Sequence, residues 1–389
     1  MASNRLAFLL LTIAMPLGIA AHSPTASAAE AARSTFGVMP DGRAVDAITL
    51  SNQHGVRIRV ISLGAALQSC VTPDGNGKLA DIVLGYGDLK GYLSDSSYFG
   101  ATVGRFANRI AKGHFSLDGQ SFQTPINNGA NSLHGGTRGF GQVLWTVEGI
   151  NSGPKASATL RYLSPDGDQG YPGAMTVTAT YSLNDQNELS IDYRAATSRP
   201  TIANISNHAY WNLSGEGTSG GVMDQLLTLH ADAFTPVDST QIPTGEIRPV
   251  AGTAFDFRSP KAIGRDVRDG GEPQLLIGHG YDHNWVISRK AATAARLVAR
   301  VEDPKSGRVL ELLSAQPGLQ FYSGNFLDGT VVGKSGHIYR QGDGLVLEPQ
   351  IFPDTPNQPI FGSARLDPGQ TYENLIIYRF SAAPVPVRP

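Results

Sequence analysis

The strongest constraint on the fold is a two-residue alternation of apolar and polar side chains that recurs along most of the chain. Alternation over five to seven residues is typical of a β-strand with one buried face. It occurs in residues 56–61, 158–162, 175–181, 189–193, 227–230, 297–301, 308–312 and 375–380. These segments predict a protein built from many short strands.

Turn-forming residues lie between these segments and tolerate positive φ. They are Asp74-Gly75, Asp118-Gly119, Pro165-Asp166-Gly167, Asn184-Asp185, Ser306-Gly307 and Asp328-Gly329. Strands separated by turns, with almost no helical pattern, predict an all-β fold, a large antiparallel β-sandwich. A single domain over residues 29–389 is the simplest arrangement. Two sandwiches divided near residues 230–240 are the alternative.

Residues 1–28 have the pattern of a secretory signal peptide. Arg5 precedes an apolar run that continues past Pro16, and Ala26-Ser27-Ala28 is a small-x-small cleavage site. The apolar run is too short to span a membrane, and a proline interrupts it. We therefore predict cleavage after Ala28, a periplasmic or secreted location, and no membrane association of the mature protein.

Charge and cysteine content argue against a nucleic-acid-binding protein and against a protein that depends on an internal disulfide or a reactive thiol. The formal net charge is -2, whereas nucleic-acid-binding proteins are basic, so we expect no nucleic-acid partner. The single cysteine, Cys70, has no partner for an internal disulfide and no neighbouring base in sequence to activate its thiol. We expect Cys70 to act as a small buried hydrophobic residue.

Two short motifs do not match the sites that they suggest. Residues 328–335 are close to a phosphate-binding loop, but Asp328 stands where the first glycine is required, and a carboxylate repels phosphate. His279, Asp282 and His283 are potential metal ligands, but their spacing differs from that of a helical metal site and no other cluster completes it. We therefore expect no metal ion.

Polar residues that strands do not require are concentrated in six segments. These are residues 104–110, 131–136, 207–213, 281–284, 317–325 and 345–350. Together they supply arginine, histidine, aspartate, glutamine and glutamate beside tyrosine and tryptophan. Planar polar groups bind hydroxyls and aromatic faces stack on a pyranose ring, so this composition indicates a sugar site.

The same segments, in this order, resemble the aldose 1-epimerase family, also called the galactose mutarotase family. The similarity runs from about residue 36 to residue 380. Its motifs are residues 104–110, Gly113-x-Phe115-x-Leu117-Asp118-Gly119, residues 131–136, Gly139-Phe140, Asn207-His208-Ala209-Tyr210, Asp282-His283-Asn284, Gln320-Phe321-Tyr322-x-Gly324-Asn325 and Leu347-Glu348-Pro349-Gln350. Trp211 departs from the family pattern, which has phenylalanine there, and we expect this change to affect sugar stacking rather than the chemistry.

The resemblance implies a mutarotase-like supersandwich with the site in an open cleft on one sheet, and no metal or cofactor. It implies that Glu348 is the general base and His208 the general acid. The sugar-holding residues that it implies are Asn108, Arg109, His134, Tyr210, Asp282 and Gln320. The expected partner is a small sugar, a free hexose such as galactose or glucose, and the expected assembly is a monomer or weak dimer.

Interconversion of α and β anomers requires a base at the C1 hydroxyl and an acid at the ring oxygen, which a carboxylate and an imidazolium supply. Three other functions remain open. A glycoside hydrolase would pair carboxylates such as Asp282 and Glu348. A sugar-binding domain without catalysis would keep the aromatic residues but lose the base. A sugar-phosphate epimerase would need an additional basic cluster, which the sequence does not display.

Overall fold

The structure is a computed structural model of the chain that describes Met1, residues 29–94 and residues 97–385. Apart from Met1, the predicted signal peptide lies outside the described residues. The strands from the N-terminus to residue 164 are β1 (Glu30–Val38), β2 (Ala44–Ser51), β3 (Arg57–Ile61), β4 (Ala66–Pro73), β5 (Leu79–Asp81), β6 (Thr102–Val103), β7 (Arg109–Ile110), β8 (His114–Leu117), β9 (Gln120–Gln123), β10 (Ser132–Leu133), β11 (Thr146–Asn151) and β12 (Lys155–Ser164).

The later strands are β13 (Met175–Asn184), β14 (Glu188–Thr197), β15 (Thr201–Ile202), β16 (Ser206–Asn207), β17 (Tyr210–Trp211), β18 (Leu226–Leu229), β19 (Ala233–Thr235), β20 (Arg248–Pro249), β21 (Lys261–Ala262), β22 (Asp282–Val286), β23 (Arg296–Glu302), β24 (Arg308–Ser314), β25 (Gly318–Tyr322), β26 (Asp328–Val332), β27 (Ile338–Arg340), β28 (Leu345–Gln350), β29 (Arg365–Leu366) and β30 (Tyr372–Ala382). The helices are α1 (Leu89–Ser94) and α2 (Pro273–Gly278). No helix in the described part of the chain is long and apolar enough to cross a membrane.

Three antiparallel sheets contain most of the strands. A five-stranded sheet has the order β1-β2-β3-β4-β5, and a nine-stranded sheet has the order β11-β12-β13-β14-β30-β24-β23-β18-β21. A six-stranded sheet, β17-β28-β25-β22-β19-β20, carries the site described below. The remaining strands form two-stranded pairs. The predicted all-β antiparallel fold is therefore confirmed.

Each of the eight alternating segments overlaps a strand, because alternation places one side of each strand in the core. In β13, for example, Val177, Ala179 and Tyr181 are fully buried, whereas the threonines between them are partly exposed. The predicted turn at Asp328-Gly329 is wrong, since both residues lie within β26. A register shift occurs between Asp328 and Val331, so the positive φ of Gly329 serves an irregular strand instead.

The main hydrophobic core packs residues from Ala29 to Phe380 into one continuous cluster. Cys70 lies fully buried within it as a free thiol, which confirms the expectation from sequence. Burial raises the pKa of Cys70 well above its usual value, because the thiolate has no solvation there. The thiol is therefore protonated and unreactive at neutral pH.

Candidate active site

The floor of the site is formed by three neighbouring strands of the six-stranded sheet. β22 pairs with β25 so that Asn284 lies opposite Gln320, and β25 pairs with β28 so that Gln320 lies opposite Glu348. Because alternate residues of a strand face the same side, Asp282 also faces this side of the sheet. Asp282, Gln320 and Glu348 line a cavity of about 300 Å³, a volume suited to a small ligand.

One wall of the cavity is held by the short pair of β7 and β10. Leu133 lies opposite Arg109 in this pair, which brings His134 beside Asn108. The Asn108 backbone N–H donates to His134 Nδ1 at 3.1 Å, and the His134 backbone N–H donates to the Asn108 carbonyl at 3.1 Å. A Cβ on Gly135 would lie 1.9 Å from the Gly104 carbonyl oxygen, so only glycine fits after His134.

Two buried titratable side chains meet at the floor of the cavity. His208 follows β16, and its Nε2 lies 3.3 Å from Oε1 of Glu348. The His208 and Glu348 residues are 7% and 2% exposed. Within the described residues, His208 Nδ1 and Glu348 Oε1 are buried and make no hydrogen bond. The pair is therefore buried with part of its hydrogen-bonding capacity unused, as is common for titratable groups at functional sites.

Burial acts on the two groups in opposite directions. It raises the pKa of Glu348 well above its usual value, and the nearby Asp282 carboxylate adds to that rise. It lowers the pKa of His208 to about 4. Each shift favours the neutral form, so the pair holds one proton over a wide pH range.

A network of hydrogen bonds fixes the opposite side of the cavity. Asp282 Oδ1 accepts a hydrogen bond from Gln320 Nε2 at 2.7 Å, and Asp282 Oδ2 lies 3.5 Å from Arg109 Nη2. Arg109 Nε donates to Asn128 Oδ1 at 3.1 Å, and Nη2 also donates to Gln241 Oε1. The guanidinium is thereby held in one orientation, since three side chains share its donors.

His134, His208 and Glu348 also have the composition of a metal site, because their donor atoms lie within 4.8 Å of one another. However, His134 Nδ1 accepts the Asn108 N–H, which places the proton of neutral His134 on Nε2. Neither nitrogen of His134 then offers a free lone pair. The residues present therefore fit a hydrogen-bonding site better than a metal site.

The side chains of His279, Asp282 and His283, the potential metal ligands set aside on their sequence spacing, also lie apart from one another in the structure. His283 lies next to Asp282 on β22 and so faces the other side of the sheet. Its Nδ1 accepts the Asp282 N–H and its Nε2 lies 3.2 Å from Gln274 Oε1. Burial lowers the pKa of His283 to about 3, so it is a neutral structural residue. His279 ends α2 in the left-handed conformation.

All of the site residues predicted from sequence line this one cavity: Asn108, Arg109, His134, His208, Tyr210, Asp282, Gln320 and Glu348. Trp211 does not line it. Its side chain is fully buried in the core with its ring 4.8 Å from that of Tyr378, so it cannot stack on a ligand as expected.

The cavity is also lined by Tyr98, Asn128, Gln241 and Tyr322, which no sequence motif assigned to the site. Tyr322 lies in a segment that the sequence had singled out, and its register opposite Asp282 indicates its position. Gln241 lies on a turn between strands with no distinctive pattern. Its side chain meets Arg109, which is far away in sequence, and this contact joins it to the site.

Comparison with known proteins gives a consistent family. A family model described as aldose 1-epimerase matches residues 46–379. Galactose mutarotase from Rattus norvegicus is 46% identical over 352 residues, which cover 90% of this chain and 98% of that protein. Aldose 1-epimerase from Escherichia coli (strain K12) is 35% identical over 350 residues, which cover 90% of this chain and 99% of that protein. The crystal structure of an aldose epimerase homologue from C. elegans matches with a TM-score of 0.79 at 35% identity, over 87% of this chain and 100% of that one. This chain therefore belongs to the aldose 1-epimerase family.

Proposed function

We propose that the protein is an aldose 1-epimerase that interconverts the α and β anomers of free hexoses such as galactose and glucose. The observation that carries this proposal is the buried contact of Glu348 with His208, 3.3 Å apart at the base of a sugar-sized cavity. A base and an acid in contact can act on two oxygens bonded to the same carbon. C1 of a pyranose carries such a pair, the anomeric hydroxyl and the ring oxygen.

In the proposed reaction Glu348 takes the proton of the C1 hydroxyl. The electrons of that O–H bond form the aldehyde C=O, the bond between C1 and the ring oxygen breaks, and His208 gives its proton to the ring oxygen. Rotation about the C1–C2 bond turns the aldehyde over. Reclosure runs the same transfers backwards, with neutral His208 as base and protonated Glu348 as acid.

Ring opening starts from the ionised pair and ends with the neutral pair. Burial penalises the charged forms of both groups, so desolvation favours the products of proton transfer. The pair reaches its ionised form by moving one proton across the 3.3 Å contact, which leaves the total number of protons unchanged. The same pair can therefore serve both directions of a reversible reaction.

The remaining polar side chains are proposed to hold the distal hydroxyls. Arg109 and Asp282 already contact each other, and Gln320 Oε1 is buried without a hydrogen bond in the described structure. His134, with its proton on Nε2, is a further donor. Because these groups hold the part of the sugar that does not react, C1 is left free to rotate.

Polarimetry of freshly dissolved α-galactose and α-glucose tests this function. Purified protein should bring the optical rotation to equilibrium faster than buffer alone. Since the proposal requires no cofactor and no metal, the acceleration should persist in excess EDTA. A rotation that decays at the buffer rate for both sugars would contradict the proposal, and a rate restored only by added divalent metal would contradict the metal-free mechanism.

A sugar-phosphate epimerase is the other isomerase that the sequence left open. Among the described residues that line the cavity, Arg109 is the one lysine or arginine, and its charge is already paired with Asp282 while its Nε and Nη2 also donate to Asn128 and Gln241. This arrangement leaves little positive charge for a phosphate. Parallel assays with glucose and glucose 6-phosphate separate the two functions, and release of free sugar from an aryl glycoside would instead indicate a hydrolase.

We also propose that residues 1–28 direct export to the periplasm or the medium. The support is the sequence pattern around Arg5 and Ala26-Ser27-Ala28, together with a family match that begins only at residue 46. N-terminal sequencing of protein expressed with its full leader should give a start near Ala29 in the exported fraction. Soluble protein that retains Met1 would contradict export.

We propose a monomer or weak dimer, which analytical ultracentrifugation measures directly.

A further inference from the structure

Tyr98 contacts both imidazoles of the site, although it takes no part in the proton transfers described above. Its ring centroid lies 4.7 Å from that of His134 in an edge-on arrangement and 5.8 Å from that of His208. The two imidazole centroids are 5.1 Å apart. The three rings therefore form one cluster at the side of the cavity.

The backbone of Tyr98 has an unusual conformation that is shared with other residues of the site. Its φ is 58°, in the left-handed region. Among the described cavity residues, Asn108, His134 and Gln241 are the other non-glycine residues with positive φ. Such conformations persist where the surrounding structure holds them, and they concentrate at functional sites. Tyr98 thus has the same kind of left-handed backbone conformation as other residues that form the site.

Two contacts fix the Tyr98 ring from outside the cavity. Its hydroxyl interacts with the side chain of Asn127. Asn127 in turn accepts the Leu133 N–H at 2.7 Å and donates to the Leu133 carbonyl at 3.0 Å, immediately before His134. On the other side, a Cβ on Gly141 would lie 3.9 Å from Tyr98 Cδ1, so the ring packs against that glycine.

We propose that Tyr98 is a positioning residue whose ring holds the His208 imidazole in its reactive orientation, packs against His134 and covers both imidazoles from water. This inference rests on the proposed function, because the reactive orientation is defined by the sugar ring oxygen. An aromatic ring suits the task, since its edge and face pack against imidazole without supplying a competing charge.

The ring should also affect the titration of His208. The titratable and charged groups around His208 are Tyr98, His134, Tyr210, Tyr322 and Glu348, with Arg109 and Asp282 across the cavity. Removing the Tyr98 ring changes none of the formal charges on the others. Burial is the first cause of the low pKa of His208, so admitting water should raise that pKa.

The test compares Tyr98→Leu, Tyr98→Gly and Tyr98→Phe with a matched control, Tyr162→Leu, whose ring packs on Phe140 and Trp145 outside the cavity. Glycine adopts the backbone conformation of Tyr98 without strain, so that variant removes the ring and keeps the fold. We expect the leucine and glycine variants to lose about 10- to 100-fold in kcat with a small change in KM. The acid limb of their pH–rate profile should move to higher pH, and the phenylalanine variant should retain most activity.

An NMR titration of the histidine ring protons gives a readout that does not depend on catalysis. The His208 pKa should rise in Tyr98→Leu and Tyr98→Gly and stay low in Tyr98→Phe and Tyr162→Leu. If the wild type is active but Tyr98→Leu and Tyr98→Gly match Tyr162→Leu in rate and titration, the role of Tyr98 is wrong. If the wild type itself does not accelerate mutarotation, the proposed function fails, whatever the titration shows.

Discussion

Glu348 and His208 have properties that differ from what their residue types alone suggest. In water a glutamate is ionised at neutral pH and an imidazole titrates near neutrality, which is the basis on which sequence assigns their roles. In the buried site the pKa of Glu348 is raised and that of His208 falls to about 4. The proposed chemistry therefore depends on the pair sharing one proton rather than on either group alone.

The pH dependence of kcat/KM should follow from these shifts. Below the lowered pKa of His208 both groups are protonated and the base is lost, so the rate should fall in the acid limb near pH 4. Above the raised pKa of Glu348 both groups are deprotonated and the acid is lost. Polarimetry across pH, corrected for spontaneous mutarotation, should give a bell-shaped curve. An acid limb at the ordinary imidazole value near 6.5 would show that His208 is not desolvated during catalysis.

Arg109→Ala, His134→Ala and Asp282→Ala should mainly weaken sugar binding. Losing a hydrogen bond to the charged Arg109 or Asp282 typically costs about 1.5–3 kcal/mol, or about 10- to 150-fold, and losing one to the neutral His134 costs about 0.5–1.5 kcal/mol, or about 2- to 10-fold. The loss should appear in KM and in calorimetric sugar binding, since these side chains hold the non-reacting hydroxyls. Variants that bind sugar normally but have lost turnover would contradict this division of roles.

At the level of single residues, sequence predicted the side chains that lie in motifs but not those that reach the cavity through long-range contacts. Asn108, His134 and Glu348 belong to family motifs, and the structure brings them into one cavity. Tyr98 and Gln241 lie in segments without such motifs. Their positions depend on left-handed backbone conformations and on contacts with distant residues, neither of which a local pattern encodes.

Among the elements, the strands were predictable because burial of one face imposes a two-residue period. The turn at Asp328-Gly329 was not, since a glycine with positive φ serves a strand irregularity as well as a turn. Arg105 gives a second example. It lies in a motif that suggested sugar binding, yet its side chain turns away from the cavity and is 2% exposed.

Arg105 instead links two segments of the chain through buried hydrogen bonds. Its guanidinium donates to the carbonyls of Ser164, Pro165 and Gly173 at 3.0, 2.7 and 2.7 Å, joining the loop after β12 to the segment after β6. Arg105→Met should lower the free energy of unfolding by about 3–5 kcal/mol, because it leaves several buried carbonyls unpaired. Urea denaturation measures this loss. Arg194→Met, at a half-exposed surface pair, is the matched control and should change stability by less than about 1 kcal/mol.

At the scale of the whole molecule, the chain crosses repeatedly between its two largest sheets. β18 belongs to the nine-stranded sheet, β19 to the six-stranded sheet, and β30 returns to pair with β14 and β24. A boundary near residues 230–240 would divide both sheets and the continuous core. These contacts favour the prediction of one domain over residues 29–389.

A single domain should unfold in one cooperative step. Circular dichroism reports the strands of the whole chain, whereas tryptophan fluorescence reports the surroundings of individual side chains. Trp145 lies before β11 and Trp285 lies in β22, so the fluorescence samples both sides of residues 230–240. Their denaturation curves should coincide, with one midpoint and one slope. Two separate transitions would instead support two sandwiches.

The central claim is that Glu348 accepts the proton of the C1 hydroxyl, and Glu348→Gln tests it most directly because glutamine keeps the shape of the side chain. Glu373→Gln, at an exposed surface ion pair, is the matched control and should retain the wild-type rate. His208→Asn should reduce the rate comparably, and the double variant should be little worse than either single variant, since the two residues act as a unit.

The decisive measurement is the polarimetric rate of Glu348→Gln on α-galactose after subtraction of the spontaneous rate, with sugar binding checked by calorimetry. We expect a loss of at least about 10²- to 10⁴-fold, the usual contribution of general acid–base catalysis, with binding and fold retained. A folded Glu348→Gln that binds sugar and keeps more than about a tenth of the wild-type rate would contradict the account, because losing a general base costs more than that.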